Sequence, residues 1–377
     1  MKPGYFRTIA LSFILLFLVS WVTDSSVLAA ASDPAVFQAK KEAEAKGYSF
    51  FTTHDEIVAM AKKEGKLRVS TSMEPPTFKP LMNGFKQKYP FITDIYVEEV
   101  TGPDAYQRFI LEMKSGHAKA WDMAHIPSDF AQEYPPYLKK HDILGMAKQG
   151  VLKIHPKMIH PVERNMISVT STIDGVPYNR KLISEDKVPA KWEDFLKPEF
   201  KGRKFVLDIR PSAVAGLVPA WGLERTLDFA RKLAAQQPVW SRGGSRITSS
   251  LAAGEYSLSL GPNFSTFKRP KDPIGSLSYK IIEPVPTRVV QYGMSILNTA
   301  DHPYAALLWL EFLASPEGQE ILDKYGYFSA SVFTPGSVIE QMTRGKELSV
   351  VDWDHFTKLQ EYSAKLVAAY GFPKADK

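Results

Sequence analysis

Residues 175–203, GVPYNRKLISEDKVPAKWEDFLKPEFKGR, decide how this 377-residue chain is organised. Proline disfavours helix in the residue before it, so Val188 and Lys197 are predicted to be extended. Between them, residues 191–196 form a single predicted helical turn that carries a tryptophan, and a strand-like run follows at residues 204–208. An aromatic anchor and a basic turn before a new strand indicate a crossing between two lobes.

This stretch resembles the crossover segment of extracellular solute-binding proteins that serve ABC importers. Two further segments are similar to motifs of the same family: LAAGE at residues 251–255 and ASPEGQE at residues 314–320. The most similar subgroup binds ferric ion, polyamines, thiamine or phosphonates. The resemblance implies an α/β fold of the type II periplasmic-binding-protein kind, in which each of two lobes is a mixed, mostly parallel sheet flanked by helices.

The composition is that of an ordinary globular protein, with 44% hydrophobic and 23% charged residues, and the chain is long enough for two domains. It contains no cysteine, which excludes disulfides, thiolate metal sites, a cysteine nucleophile and the cysteine of a lipid anchor. The net charge of +6 is diffuse, because lysines alternate with acidic residues along the helices. Nucleic-acid binding needs a concentrated basic surface, so we expect no nucleic-acid partner.

The N-terminal segment has the pattern of a secretory signal peptide. Lys2 and Arg7 precede an apolar run at residues 9–22, and small residues follow at 29–31. The apolar run is short for a membrane span, so residues 1–31 are predicted to be removed, with a retained anchor as the alternative. Export together with the lack of cysteine indicates a bacterial periplasm.

Three strand–helix units follow, with predicted strands at residues 67–71, 94–100 and 121–126. Strands that alternate with helices predict a parallel sheet covered on both faces. Ligands bind at the carboxyl ends of such strands, where the loops carry the following residues: Ser72, Thr101, Gly102 and Ser128. Each of these is equally well explained as a helix cap, and the two roles are compatible because helix N-termini attract anions.

The second lobe is predicted to begin with the strand at 204–208, followed by Arg210, Ser212 and a helix at residues 213–218. A cation at a helix start opposes the helix dipole, which a bound anion would offset. A guanidinium can also grip a carboxylate or phosphonate with two hydrogen bonds. The alternative is a surface arginine paired with Asp208.

The resemblance adds polar candidates further along the chain. It implies that the segment around Arg242 and Ser245 faces the cleft. It also aligns Asn263 and Phe264 with adjacent tyrosines that coordinate iron in the ferric-binding branch. Neither residue supplies an anionic ligand, although Asn263 can form hydrogen bonds and Phe264 can line a pocket.

Two extended crossovers are predicted, near residues 177–182 and 283–288, with Tyr178 and Tyr292 near the hinge. They divide the chain into a first lobe (residues 32–177 plus 289–377, with the C-terminal helices) and a second lobe (residues 178–288). A closing helix at residues 353–370 is predicted to use its apolar face for ordinary packing. The empty protein is expected to be mostly open, and ligand contacts from both lobes would favour closure.

Three functions remain open from the sequence. The first is a periplasmic receptor that delivers a small polar, anionic solute, such as a carboxylate or phosphonate, to an ABC permease. The second is a ferric-ion receptor that uses other ligands, for example Tyr178 or Tyr292. The third is a secreted enzyme on the same fold, which is disfavoured because hydrolase, zinc-protease and nucleotide-binding motifs are absent.

We expect a monomer without cofactor, catalytic residue or resident metal. His155 and His160 do not form a helical metal pair, because proline follows each.

Overall fold

The computed structural model describes residues 33–268, 275–290 and 293–372. The predicted signal peptide lies outside these ranges, and so does Tyr292. Among the described residues, none of the helices combines the length and the apolar character that a membrane span requires.

The strands are short, and most are buried. In chain order they are β1 Lys66–Thr71, β2 Asp94–Glu99, β3 Met123–Ile126, β4 Thr170–Ile173, β5 Val176–Asn179, β6 Val206–Asp208, β7 Val239–Ser241, β8 Ser259–Leu260, β9 Leu277–Lys280, β10 Val285–Arg288, β11 Gly293–Ile296, β12 Ser329–Ala330 and β13 Leu348–Val351.

Helices separate most of these strands. In chain order they are α1 Pro34–Ala45, α2 His54–Glu64, α3 Pro75–Lys88, α4 Pro103–Lys114, α5 Ile143–Lys148, α6 Ser212–Ala215, α7 Val218–Trp221, α8 Leu223–Ala235, α9 Gly244–Ala252, α10 Phe264–Lys268, α11 Pro303–Ala314, α12 Pro316–Tyr325, α13 Val338–Thr343 and α14 Trp353–Tyr370. Short helical turns add Ala118–Ala120, Ser128–Glu133, Pro135–Tyr137, Pro156–Met158, Glu185–Lys187, Trp192–Leu196 and Pro198–Phe200.

The first lobe is built on a four-stranded sheet in the order β11-β3-β1-β2. Strands β1, β2 and β3 are parallel, and β11 is antiparallel to β3. Helix α11 packs on this sheet with an apolar surface all round, since almost every side chain in it is buried. The three predicted strand–helix units are thus confirmed, and the loops after β1, β2 and β3 lie at one edge of the sheet.

The second lobe contains a parallel sheet in the order β7-β6-β8 and an antiparallel pair, β5 with β9. The helical turn at Trp192 belongs to its core. Trp192 is fully buried, and Phe195 and Phe205 pack in the same cluster. Val188 and Lys197 flank the turn in extended conformation, as the following prolines require.

A third sheet, in the order β12-β4-β10-β13, lies where the chain passes between the lobes. Strands β4 and β10 pair antiparallel, with Thr287 opposite Ile173. The indole N–H of Trp192 donates to the carbonyl of Pro284, 3.0 Å away, which ties the core of the second lobe to the second crossover segment. Residues 176–179 already pair with β9, so the first crossing lies a few residues earlier than predicted.

One predicted helix is wrong in its extent. The helix expected at residues 213–218 is two four-residue helices, α6 and α7, separated at Gly216. Pro219 lies in the first turn of α7 and lacks the N–H that would continue α6, so it starts a new helix instead. A four-residue helix has little dipole, which removes the dipole argument for Arg210.

Helix α14 packs mainly on the second lobe. Leu366 is fully buried and Tyr370 is nearly so, and both belong to the same core cluster as Trp192. At the other end of the helix, Trp353 packs with Val285 and Val289 of the second crossover segment. The predicted grouping of all C-terminal helices with the first lobe therefore does not describe α14, because its buried face fits the second lobe.

Candidate functional site

The loop after β6 presents Arg210 beside a carboxylate. The Arg210 guanidinium donates to Asp208 through Nη2 (3.1 Å to Oδ2) and Nε (3.4 Å to Oδ1), and its backbone N–H also donates to Oδ1 at 3.0 Å. This is the pairing that the sequence left open as an alternative. The Arg210 side chain is nevertheless 59% exposed, so the part of the guanidinium that faces away from Asp208 is accessible to a ligand.

The loop after β7 presents a second guanidinium. Arg242 is exposed and has no ion-pair partner within the described ranges. Its neighbour Gly243 has φ of 101°, a conformation that glycine adopts without strain, and its backbone N–H donates to Asp208 Oδ2 at 3.3 Å. Asp208 thus holds the two arginine loops together. Ser245 is exposed in the first turn of α9 but is not part of the cavity described next.

A cavity of about 640 Å³ lies between these loops and helix α14. Three of the predicted residues, Arg210, Ser212 and Arg242, line one side of it. Its volume is within the range of small-molecule sites in proteins. Helix α14 lines the opposite side with these residues: Phe356, Thr357, Leu359, Gln360, Ser363, Ala364 and Val367.

A much smaller cavity, of about 20 Å³, lies under the arginine loop between Ser212 and Tyr370. It has room for about one water molecule. The Tyr370 hydroxyl is buried without a hydrogen-bond partner among the residues described, and burial raises the pKa of this phenol, with a further increase from Asp208. The end of α14 therefore supports the Arg210 loop from beneath.

A second cavity, of about 320 Å³, lies between the start of α3 and helix α10. Its lining includes the polar residues Glu74, Tyr325 and Tyr327, and Lys268 from α10. The Lys268 ammonium donates to Ser329 Oγ at 3.1 Å, and partial desolvation lowers its pKa. The sequence analysis did not identify these residues as site candidates. The Tyr-Gly-Tyr run at residues 325–327, at the end of a predicted helix, is the sequence feature that could have indicated them.

The loops at the edge of the first sheet are arranged as predicted, but only in part exposed. Ser72 is buried, and its Oγ has no hydrogen-bond partner among the residues described. Thr101 and Gly102 line a shallow cavity of about 510 Å³ at the start of α4. Ser128 begins a helical turn, and only its backbone is described.

Other candidates take structural positions. Tyr178 is 2% exposed and lies in the core of the second lobe. Asn263 Oδ1 accepts from the backbone N–H of Thr266 at 2.8 Å, so it caps α10. Phe264 packs edge-on against Tyr279, with ring centroids 5.5 Å apart. The role predicted for Tyr292 cannot be placed, since this residue lies outside the described residues.

A buried ion pair joins the two crossover segments. Arg288 Nη2 lies 2.6 Å from Asp174 Oδ2, and their side chains are 8% and 1% exposed. Burial raises the pKa of Asp174, and Arg288 opposes that effect. The hydroxyl of Tyr279 donates nearby to the carbonyl groups of Ile173 and Pro262, each 3.2 Å away. The crossover region is thus held by polar contacts with defined geometry.

Within residues 33–268, 275–290 and 293–372, no three His, Cys, Asp or Glu side chains cluster in a way that could hold a metal ion. His155 stacks on Phe333 instead, with ring centroids 5.2 Å apart, and His160 packs on Trp353.

The chain belongs to the bacterial extracellular solute-binding proteins, whose family model matches residues 135–359. Its two-lobed fold is that of the type II periplasmic binding proteins. A Trichodesmium protein solved with iron and citrate is 18% identical, with a TM-score of 0.62 over 82% of this chain and 100% of that one. A structure described as a GABA receptor is 13% identical, with a TM-score of 0.60 over 82% and 99%.

Sequence similarity to curated proteins is more limited. An uncharacterised protein of Haemophilus influenzae is 27% identical over 150 residues, which is 37% of this chain. The match spans only 41% of that relative.

Proposed function

We propose that this protein is the solute-binding component of an ABC importer and captures a small anionic solute between its lobes. In this proposal Arg210 and Arg242 bind a carboxylate or phosphonate from the second lobe, and Ser212 adds a hydroxyl. The observation that carries it is the cavity of about 640 Å³ in which these three side chains meet. A guanidinium that has no ion-pair partner in the described part of the chain, as at Arg242, favours an external anion.

The proposed division of the chain follows the crossover segments. Residues 1–31 are a signal peptide, residues 32–177 and 289–377 form most of the first lobe, and residues 178–288 form the second. Closure rotates the lobes about β4 and β10, so that Ser72, Thr101, Gly102 and Ser128 approach the bound solute from the first lobe. Ser245, Asn263 and Phe264 complete the proposed rim on the second lobe.

The proposed partners follow from the family. The protein acts in the periplasm as a monomer without catalytic activity, and it delivers its solute to the transmembrane subunits of a permease. Membership in a family of extracellular solute-binding proteins supports this location.

A ferric-ion receptor is the second candidate function. The observation in its favour is the cavity of about 320 Å³, whose lining includes Glu74, Tyr325 and Tyr327. Carboxylate and phenolate oxygens are the hard ligands that ferric ion prefers. Since Tyr178 is buried in the core, this set replaces it in the ferric hypothesis. An accompanying organic anion would then occupy the arginine cavity, the cavity of about 640 Å³ that Arg210 and Arg242 line.

Calorimetric titration of the purified protein tests the proposal. The panel contains acetate, hexanoate, citrate and a phosphonate, each with and without ferric ion. Binding of an anion without iron, weakened in Arg242→Gln, supports the anion receptor. Binding that requires iron, develops a phenolate absorption band and is lost in Tyr325→Phe or Tyr327→Phe supports the ferric alternative. No binding of any anion in either condition overturns the anion proposal.

A further inference from the structure

Helix α14 gives the arginine cavity an uncharged wall. The helix carries several charged side chains, among them Asp354, Lys358, Glu361 and Lys365, but none of these lines the cavity. They pair with each other instead, Lys358 with Asp354 at 2.9 Å and Lys365 with Glu361 at 2.6 Å. The charged part of the helix is therefore turned away from the arginines.

The side of α14 that does face the cavity is mainly apolar. Phe356 and Leu359 are half-buried there, and Val367 is 40% exposed. Phe372, just after the helix, lines the same cavity. Polar atoms on this side come from uncharged groups: the Thr357 and Ser363 hydroxyls and the Gln360 amide.

The two sides of the cavity thus differ in chemistry. One end offers two guanidinium groups, of which Arg242 has no counter-ion within the described part of the chain, and the other offers apolar surface with no charge. A solute that matches both has one anionic group at one end and an uncharged, mainly apolar body at the other. A second carboxylate placed against Val367 and Leu359 at the far end would lose hydration without gaining a charged partner.

We infer that the solute is an amphipathic monocarboxylate, whose carboxylate binds Arg210 and Arg242 and whose apolar body packs on α14. This inference rests on the proposed function and specifies its solute class. It makes Val367 and Leu359 specificity-determining residues, because they contact the part of the solute that distinguishes one acid from another.

The inference is tested with the full-length mature protein and acids that differ in one feature at a time. In calorimetric titration, affinity should rise about fourfold for each methylene added from acetate to butyrate to hexanoate, as expected for burial of apolar surface. Adipate has the chain length of hexanoate but a second carboxylate, and it should bind more than tenfold more weakly. Equal or tighter binding of adipate, or affinity independent of chain length, overturns the inference.

A matched pair of variants locates the effect. Val367→Asn should weaken hexanoate at least fourfold and leave acetate unchanged. Val338→Asn is the control, because Val338 is similarly exposed, at 37%, and lies on α13 away from the cavity. Equal hexanoate affinity in the two variants would contradict the assignment of α14.

The two proposals fail in different ways. If acids bind through Arg242 with no preference for apolar chains, the anion receptor stands and the monocarboxylate inference is wrong. If no acid binds, or if Arg242→Gln has no effect, the proposed function itself is wrong.

Discussion

At the scale of single residues, two arginines that look alike in the sequence differ in their surroundings. Arg210 shares its charge with Asp208, whereas Arg242 has no ion-pair partner among the residues described. Both line the same cavity, and the backbone N–H of Gly243 connects their loops through Asp208. In the proposed site, Arg242 would therefore offer its full charge to an anion, and Arg210 would also shield the anion from Asp208.

Replacing Arg242 with glutamine should weaken binding of a carboxylate by roughly 1.5–3 kcal/mol, the contribution of a charge-assisted hydrogen bond. Isothermal titration with hexanoate measures the change. Arg246→Gln is the control, because Arg246 is an exposed arginine nearby, in helix α9, that does not line the cavity.

Replacing Arg210 with alanine should weaken binding over the same range, since it removes a donor and uncovers the Asp208 carboxylate. Unchanged affinity in Arg210→Ala would show that this arginine only pairs with Asp208.

The pH dependence of stability should depend on His141. Burial lowers the pKa of His141 to about 4, and neither ring nitrogen has a hydrogen-bond partner within the described ranges. Between about pH 6.5 and 4 the unfolded chain binds a proton there that the folded chain does not, so stability falls as pH falls through this window. From pH 7 to pH 5 this one group should cost about 2 kcal/mol.

His141→Leu should remove that part of the loss, as measured by urea unfolding at pH 7 and pH 5. His117→Leu is the matched control, because the His117 side chain is exposed. An unchanged difference between the two pH values in His141→Leu would contradict the assignment.

At the scale of elements, helix α14 has two faces with different surroundings. Leu366 and Tyr370 anchor it in the core of the second lobe, and the face with Val367 lines the arginine cavity. Its apolar periodicity predicted only the packing face. The helix also reaches the second crossover segment through Trp353, so its position is coupled to both parts of the molecule.

Leu366→Ala should destabilise the protein by about 2–5 kcal/mol, because the Leu366 side chain is fully buried and its removal leaves a cavity in the core. The next residue provides the control, since Val367 is 40% exposed and Val367→Ala should change the unfolding free energy by only about 0.5 kcal/mol. Chemical denaturation measures both. Similar losses in the two variants would mean that α14 does not contribute to the core through Leu366.

At the scale of the whole molecule, the two crossover segments form one connected region. Strands β4 and β10 pair side by side, the Asp174–Arg288 ion pair is buried between them, and the Trp192 indole binds the Pro284 carbonyl. A rotation of the lobes about this region moves the loops of both sheets while the core of each lobe stays intact. That arrangement is what a hinge requires.

A saturating monocarboxylate should therefore close the molecule as well as stabilise it. At a hundred times the dissociation constant the unfolding free energy should rise by about 2.7 kcal/mol, and small-angle scattering should show a smaller radius of gyration. The Arg242→Gln variant at the same acid concentration should show neither change. Stabilisation with an unchanged radius would support binding to the second lobe alone.

The sequence by itself determined the class of protein and most of its elements. Prolines fixed the turn at Trp192, strand–helix alternation predicted the sheets, and the loops with Arg210 and Arg242 were placed at strand ends. These features depend on interactions between neighbours in the chain, which a local pattern records.

Only the tertiary structure decided how those parts meet. It buried Tyr178 in the core and placed Val367, from the far end of the chain, on the cavity wall opposite Arg210. Such contacts depend on which faces pack together once both cores have formed. Burial and cavity shape are properties of that packing, and no short segment of the sequence encodes them.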